Sequence, residues 1–284
     1  MRKNIKVSIC CLTYNHERYI AKAIEGFVMQ KTNFPFEIII GEDCSTDRTR
    51  LILEEYKSRY PDQIRLITSA SNVGANVNAV RVFKAAGAEY IAICDGDDYW
   101  TDPLKLQKQI DFLDQNEDYV MCGHYSKRIS ENDEVHYMNF NPIPLSYSFD
   151  DVMSGSKTEI STLTIVFRNT KEIQEMFDTE WFLKCNAPDK FIKLYTTFVS
   201  GKRIYIMPET MSCYRQHRGG MWSSLAPHVL KQKELNDLYT MVNIFNYTWI
   251  QKTKLFFLYL KKYFLFELRK RGLQETLGTI RTIL

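Results

Sequence analysis

Three carboxylates stand almost side by side in Cys94-Asp95-Gly96-Asp97-Asp98-Tyr99-Trp100, directly after the apolar run Tyr90–Cys94. Carboxylates crowded at a strand end repel one another unless a cation sits between them. Hard divalent ions favour oxygen ligands, and Mg²⁺ is commonly held by one or two carboxylates together with substrate phosphates. A second acidic strand end follows in Glu37–Thr49, where Glu42 and Asp43 precede Cys44-Ser45-Thr46-Asp47. A carboxylate there can accept a hydrogen bond from a base N–H or a ribose hydroxyl. Tyr14 ends the first apolar run and offers a ring for stacking on a base. Asn72 and Gly74 mark a strand-to-helix turn, since both residue types tolerate positive φ. Arg215, His217, Arg218, Gly219 and Gly220 cluster ahead of Trp222. Basic groups with flexible backbone amides suit a diphosphate. His217 is also a metal-ligand candidate through neutral imidazole. Asp189 opens a helical stretch at Pro188.

Each feature also has a plainer alternative. The acidic triplet can be a turn ahead of a helix; Ser45, Thr46 and Asp47 can cap one. A carboxylate in a first helical turn is favoured by the helix dipole alone. Trp100 and Trp222 fit either an acceptor pocket or core packing.

The elements that must position these residues follow from hydrophobic periodicity. Buried strands are read at 7–14, 36–43, 64–68 and 90–94. Helical spacing is read at 19–30, 46–60 (capped by Thr46 or Asp47), within 76–90, and from Asp102-Pro103 through 115. Strand–helix alternation with non-alternating strands predicts an α/β fold with a mostly parallel sheet covered on both faces. On such a sheet ligands bind beyond the carboxyl ends of the strands, which is where these polar clusters fall. Further strands are read at 119–129, 163–169 and 203–209, and a helix at 188–201 closed by Gly201. Residues 228–284 read as helical, aromatic and basic.

Composition bounds the function classes. The 284 residues are 45% hydrophobic and 25% charged, as in a globular chain with a large core. Lys plus Arg is 37 against 34 Asp plus Glu, a net charge of +3, too balanced to argue for nucleic acid. Seven cysteines without a CxxC pair or zinc spacing suit free thiols in a reducing cytoplasm. No signal peptide or transmembrane run is evident. The segment 250–272 interleaves Lys252, Lys254, Lys261, Lys262, Arg269, Lys270 and Arg271 with large apolar residues. Such a helix lies on an anionic membrane, packs on its own domain, or joins two copies in a homodimer.

Five segments in order, VSICCLTYNHERYI, IIIGEDCSTDRT, NVGANVNA, AICDGDDYWTDPLKLQKQ and YRQHRGGMWS, resemble the inverting glycosyltransferases of family 2, which have a GT-A fold, a Rossmann-like nucleotide-diphospho-sugar transferase architecture. The resemblance spans about residues 5–223. It implies a catalytic domain over 1–223, with a nucleotide-sugar half (1–100) and an acceptor half (101–223), and a helical extension over 224–284.

By the same resemblance Asp43 contacts the nucleotide base and Tyr14 flanks it. Glu42 stands where the first Asp of that pair is more usual, and Cys44 where Gly is commoner. Asn72 and Arg215 fall on the donor side. Asp95 and Asp97 match the DxD motif. Asp97 would hold Mn²⁺ or Mg²⁺ and Asp95 would sit near ribose and metal, with His217 aiding metal or diphosphate binding. Asp189 matches the catalytic base, beside Pro188 where an acidic or small neighbour is usual. The implied reaction moves a sugar from a nucleoside diphosphate donor, UDP by preference, to a hydroxyl of a glycan or lipid-linked acceptor in cell-surface polysaccharide biosynthesis. The implied location is the cytoplasm, or peripherally the inner face of the cell membrane.

Rival readings are a sugar nucleotidyltransferase, a non-catalytic nucleotide-sugar scaffold and a nicotinamide-binding Rossmann domain. The first expects a Gly-rich basic loop after the first strand, where this chain has TYNHERY. The intact acidic triplet and Asp189 speak against the second, and the lack of GxGxxG after a strand against the third.

Overall fold

Apolar runs without alternation demand burial on both faces, and the central strands obtain it. The computed structural model describes residues 5–155, 159–220 and 225–271. The first half runs β1 (Val7–Thr13), α1 (Ile20–Val28), β2 (Phe36–Glu42), α2 (Thr49–Arg59), β3 (Ile64–Thr68), α3 (Ala75–Ala85), β4 (Tyr90–Ile93), β5 (Tyr99–Trp100) and α4 (Lys105–Gln115). The second half runs β6 (Tyr119–Ile129), β7 (Val135–Tyr137), β8 (Leu145–Tyr147), α5 (Phe149–Met153), β9 (Val166–Arg168), α6 (Lys171–Met176), α7 (Glu180–Lys184), α8 (Pro188–Ser200), β10 (Arg203–Arg215), α9 (Pro227–Ile244) and α10 (Trp249–Arg271).

The strands form one sheet in the order β3-β2-β1-β4-β9-β6-β10-β5, with β7 on β6 and β8 on β10. β3, β2, β1 and β4 are mutually parallel. β9 enters antiparallel between β4 and β6, and β10 returns parallel to β6. Alternate residues of each central strand feed opposite cores. Cys10, Ile39, Ile91 and Ile93 pack with α3, α6 and α8. Ile9, Cys11, Ile38, Ile40 and Ala92 pack with α1, α2 and α4. Leu238 and Met241 of α9 and Leu255 of α10 join the first core. The C-terminal helices are therefore packed into the body of the fold. All seven cysteines are free.

Several sequence expectations shift. Asp102 does not begin the helix directly: its carboxylate accepts the Leu104 N–H at 2.8 Å in a tight turn, and α4 begins at Lys105. Arg48 occupies the cap position of α2, while Asp47 accepts the Thr49 N–H at 2.9 Å. Residues 162–164 form a 3₁₀ turn, so the strand expected from 163 begins at Val166. The strand expected to stop at 209 runs on to Arg215. Pro208 cannot donate to the ladder, and β10 absorbs it in a register shift between Met207 and Thr210. That continuation carries Arg215 to the acidic triplet.

Candidate active site

The carboxyl ends of β1, β2 and β4 face one cleft of ≈ 400 Å³. Three loops are laced together beneath it. Asn15, at φ 55°, accepts the Thr46 N–H at 2.8 Å, and its own N–H donates to Ser45 Oγ at 3.0 Å. The His16 N–H donates to Thr49 Oγ1 at 2.8 Å. The Gly96 N–H donates to Leu12 O at 2.9 Å. A Cβ on Gly96 would fall 2.8 Å from Thr13 Oγ1 and from Ile20 Cδ1, so only glycine lets the triplet lie this close to β1.

Tyr14, Asp43, Asn72, Asp95, Asp97, Asp189 and Arg215 all border this cleft. Asp43 accepts from Ser69 Oγ and the Val73 N–H on one oxygen and from the Gly74 N–H on the other. Gly74, at φ 87°, supplies the turn that aims this N–H, and Asn72 Oδ1 accepts from the same group at 3.0 Å. Asp43 thus sits at the wall of the cleft in a fixed orientation, and Tyr14 stands 41% exposed at its mouth. Asp189 enters from the first turn of α8, paired with Lys193 at 2.8 Å.

The acidic triplet is electrostatically uneven. Burial, together with the charges of Asp97 and Asp189, pushes the Asp95 carboxyl up to about 8. Its buried Oδ1 has no hydrogen-bond partner among the described residues. Burial also raises Asp98 well above the usual carboxylate range, although its Oδ1 accepts the Arg215 N–H at 2.7 Å. Asp97 is half-buried; burial would raise it, yet the hydrogen bond with His217 and the nearby His16 imidazole hold it below the ordinary value. Burial lowers His16 from the ordinary imidazole value, against the opposing charge of Asp97. His217 Nε2 lies 3.0 Å and His16 Nε2 3.9 Å from Asp97 Oδ2. One donor atom from each of the three residues falls within 4.8 Å of the others. An orphaned buried carboxylate oxygen beside a carboxylate with two imidazoles is a donor set that fits a divalent cation.

Three expected site residues behave differently, and a fourth lies outside the described residues. Glu42 is fully buried and does not reach the cleft; it accepts from Arg50 Nε at 2.6 Å and from the Ser45 N–H at 2.5 Å. It anchors the β2–α2 loop instead of touching a donor. Arg215 is buried with its guanidinium committed to Asp97 O, Ser130 O, Glu131 O and Asp133. It borders the cleft as a strut under the triplet, with its guanidinium already tied to these groups. Trp100 is 2% exposed, edge-on to Phe27, and donates Nε1–H to Leu163 O at 2.8 Å. It is core and lines no acceptor pocket. Trp222 lies outside the described residues.

Two residues at the site had no role in the sequence reading. His16 sits in a strand-end cluster that the sequence marks, but nothing in its spacing pairs it with Asp97. Lys193 lies one helical turn beyond Asp189, a spacing at which side chains meet; that was the available signal.

The family model for glycosyl transferase family 2 matches residues 8–175. An uncharacterized protein of Mycobacterium tuberculosis, Rv1520, is 36% identical over 222 residues, covering 77% of this chain and 61% of its own length. The chain thus spans less than two thirds of that relative. The putative teichuronic acid biosynthesis glycosyltransferase TuaG of Bacillus subtilis is 30% identical over 168 residues, covering 59% of this chain and 65% of its own. The crystal structure of Staphylococcus aureus TarS 1-349 in complex with UDP-GlcNAc superposes with a TM-score of 0.69 at 19% identity, covering 95% of this chain and 77% of that one. Its likeness establishes the GT-A fold. With the family model matched over more than half its residues, the chain belongs to glycosyl transferase family 2.

Proposed function

We propose that the protein transfers a sugar from a nucleoside diphosphate sugar, a UDP-sugar by preference, to a hydroxyl of a glycan or lipid-linked acceptor in polysaccharide biosynthesis, with inversion at the anomeric carbon. The observation that carries this reading is that Asp189, far along the chain from the acidic triplet, borders the same cleft as Asp95 and Asp97. The relatives support it: TuaG is named for teichuronic acid biosynthesis, and TarS was solved with UDP-GlcNAc.

In this reading Asp43 and Tyr14 receive the base and Asp95 lies by the ribose. Asp97 and His217 hold Mn²⁺ or Mg²⁺, which when bound supplies Lewis-acid neutralisation of charge on the leaving diphosphate. Asp189 accepts the proton of the acceptor hydroxyl. That oxygen forms its bond to the anomeric carbon as the bond from this carbon to the diphosphate oxygen breaks, and the nucleoside diphosphate leaves. Attack from the face opposite the leaving group inverts the centre, as in inverting hydrolases.

The C-terminal helix has a separate part. Among the described residues no helix is long and apolar enough to cross a membrane. α10 buries Leu255 and Phe266 but leaves Trp249, Ile250, Phe256 and Phe257 exposed beside its lysines. This face is proposed to touch an anionic membrane surface, where lipid-linked acceptors reside.

The test is a melting-temperature panel with UDP, GDP, dTDP, CDP and NAD, each with Mn²⁺ or EDTA. A ligand at a hundredfold excess over Kd stabilises by about 2.7 kcal/mol. A Mn²⁺-dependent rise with one nucleoside diphosphate is expected, followed by sugar transfer from the matching donor. A folded sample that responds to none of them sinks the reading.

A further inference from the structure

His16 stands outside the DxD motif and outside the β10 loop, yet it faces Asp97. Its position is built in. The His16 N–H is tied to Thr49 Oγ1 at 2.8 Å, and its carbonyl accepts the Tyr19 and Ile20 N–H groups, both at 2.9 Å, ahead of α1. The imidazole therefore sits at a fixed place on the first loop. It meets the His217 ring edge-on, with centroids 6.1 Å apart and the planes at 82°. Tyr19, at the end of the same loop as His16, packs against the His217 ring at 4.9 Å. Both imidazoles are thus held from separate segments around one carboxylate.

We propose that His16 is a third protein ligand, completing a two-imidazole, one-carboxylate site with Asp97 and His217 that captures a borderline divalent metal before any nucleotide arrives. The metal assignment for Asp97 and His217 rests on the reading above; the role of His16 and the order of binding go beyond it. Donor atoms on one ion at ~2.1 Å lie about 3 to 4 Å apart. The distances of 3.0 and 3.9 Å to Asp97 Oδ2, with all three atoms within 4.8 Å, approach that arrangement without the help of a ligand. A site made only of carboxylates and substrate phosphates is assembled by the substrate and suits Mg²⁺. Two imidazoles change both properties. They supply enough protein ligands to hold the ion alone, and they shift preference away from Mg²⁺ towards first-row transition ions, of which Mn²⁺ is the most weakly held.

The experiment is titration of the metal-stripped full chain with Mn²⁺ alone, with no nucleotide present, read by the electron paramagnetic resonance of free Mn²⁺. Saturable uptake of a single Mn²⁺ is expected, with Mg²⁺ competing at least about tenfold more weakly. His16→Gln should weaken uptake by at least about tenfold, since loss of even an outer-shell partner typically costs 10–100-fold. Its metal-free melting temperature should match the parent. Should that variant fail to fold, electron spin echo spectra of Mn²⁺ on the parent chain decide instead: nitrogen modulation from two imidazoles supports the site, and from one imidazole overturns it. Uptake that requires a nucleotide, or uptake unchanged in His16→Gln, overturns the proposal. Because no donor is used, the two readings separate. Sugar transfer without nucleotide-free Mn²⁺ uptake removes the role of His16 and leaves the transferase reading standing. Uptake through His16 in a chain that binds no nucleoside diphosphate does the reverse.

Discussion

Asp189 Oδ2 lies 2.8 Å from Lys193 Nζ, one helical turn along α8, and the same ammonium reaches Ile160 O at 3.3 Å. Burial alone would raise the Asp189 carboxyl, but the Lys193 charge and hydrogen bond win and hold it below the ordinary value. Lys190, Asp95, Cys185 and Tyr214 also feel this carboxylate. A carboxylate held low is ionised at neutral pH, as the proposed base must be. Lys193→Gln should therefore move the acid limb of the kcat/KM profile to higher pH while leaving the basic limb in place. An unmoved acid limb would show that Lys193 is merely structural. The stability linkage has the same sign. A depressed carboxylate stabilises the fold above its unfolded value near ~3.9 and loses that contribution as pH falls through the lower folded value. Melting curves below pH 4 should accordingly converge for the parent and Lys193→Gln.

Asp189→Asn keeps the shape of the side chain and removes its basicity. Turnover should fall by about 10²–10⁴-fold, the usual weight of general-base assistance, while donor affinity measured with UDP-sugar and Mn²⁺ stays within the scatter of the parent. A fall in donor affinity with turnover intact would move the base elsewhere.

Trp100 distinguishes core from acceptor pocket. It is buried among Phe27 and Leu163, with the Lys105 ammonium 3.8 Å from its ring centroid. Trp100→Ala should cost roughly 3–5 kcal/mol in denaturant unfolding. Trp100→Phe, which keeps a ring but loses the Nε1–H donor to Leu163 O, should cost less and leave the acceptor KM unchanged. An acceptor KM that climbs in a stably folded Trp100→Phe variant would restore Trp100 to the acceptor pocket.

The proposed membrane contact of α10 is tested by charge, because deletion would also remove Leu255 and Phe266 from buried positions. Phe256→Glu with Phe257→Glu alters two exposed side chains. Co-sedimentation with phosphatidylglycerol vesicles should drop sharply in the double variant, and in the parent it should weaken as salt screens the lysines. Equal sedimentation of the two proteins would remove the membrane role.

Much of the candidate site is legible in the sequence. The non-alternating runs of β1, β2 and β4 could satisfy their apolar side chains only in a sheet covered on both faces, so the polar residues after them had to gather at one edge. Strand ends are local features, and their residues are next to the signals that define them. Gly74 was readable for the same reason. What failed were judgements about where a long side chain finds its partners. Glu42 and Asp43 are neighbours on one strand end, yet one is buried against Arg50 and the other reaches the cleft. Arg215 and Trp100 carry the right chemistry for diphosphate and sugar, but their partners come from Ser130, Asp133 and Leu163. Those contacts form only when β10 passes Pro208 in its bulge and β5 docks against it.

Residue types and periodicity by themselves thus determined the sheet, its acidic edge and the carboxylates able to work there. Tertiary structure decided which of these groups face open space and which are tied down. It also decided that His16, His217 and Asp97, contributed by three separate loops, share one small volume. The physical reason is that burial and pairing depend on contacts between segments remote in sequence, while strand and turn signals are written in adjacent residues.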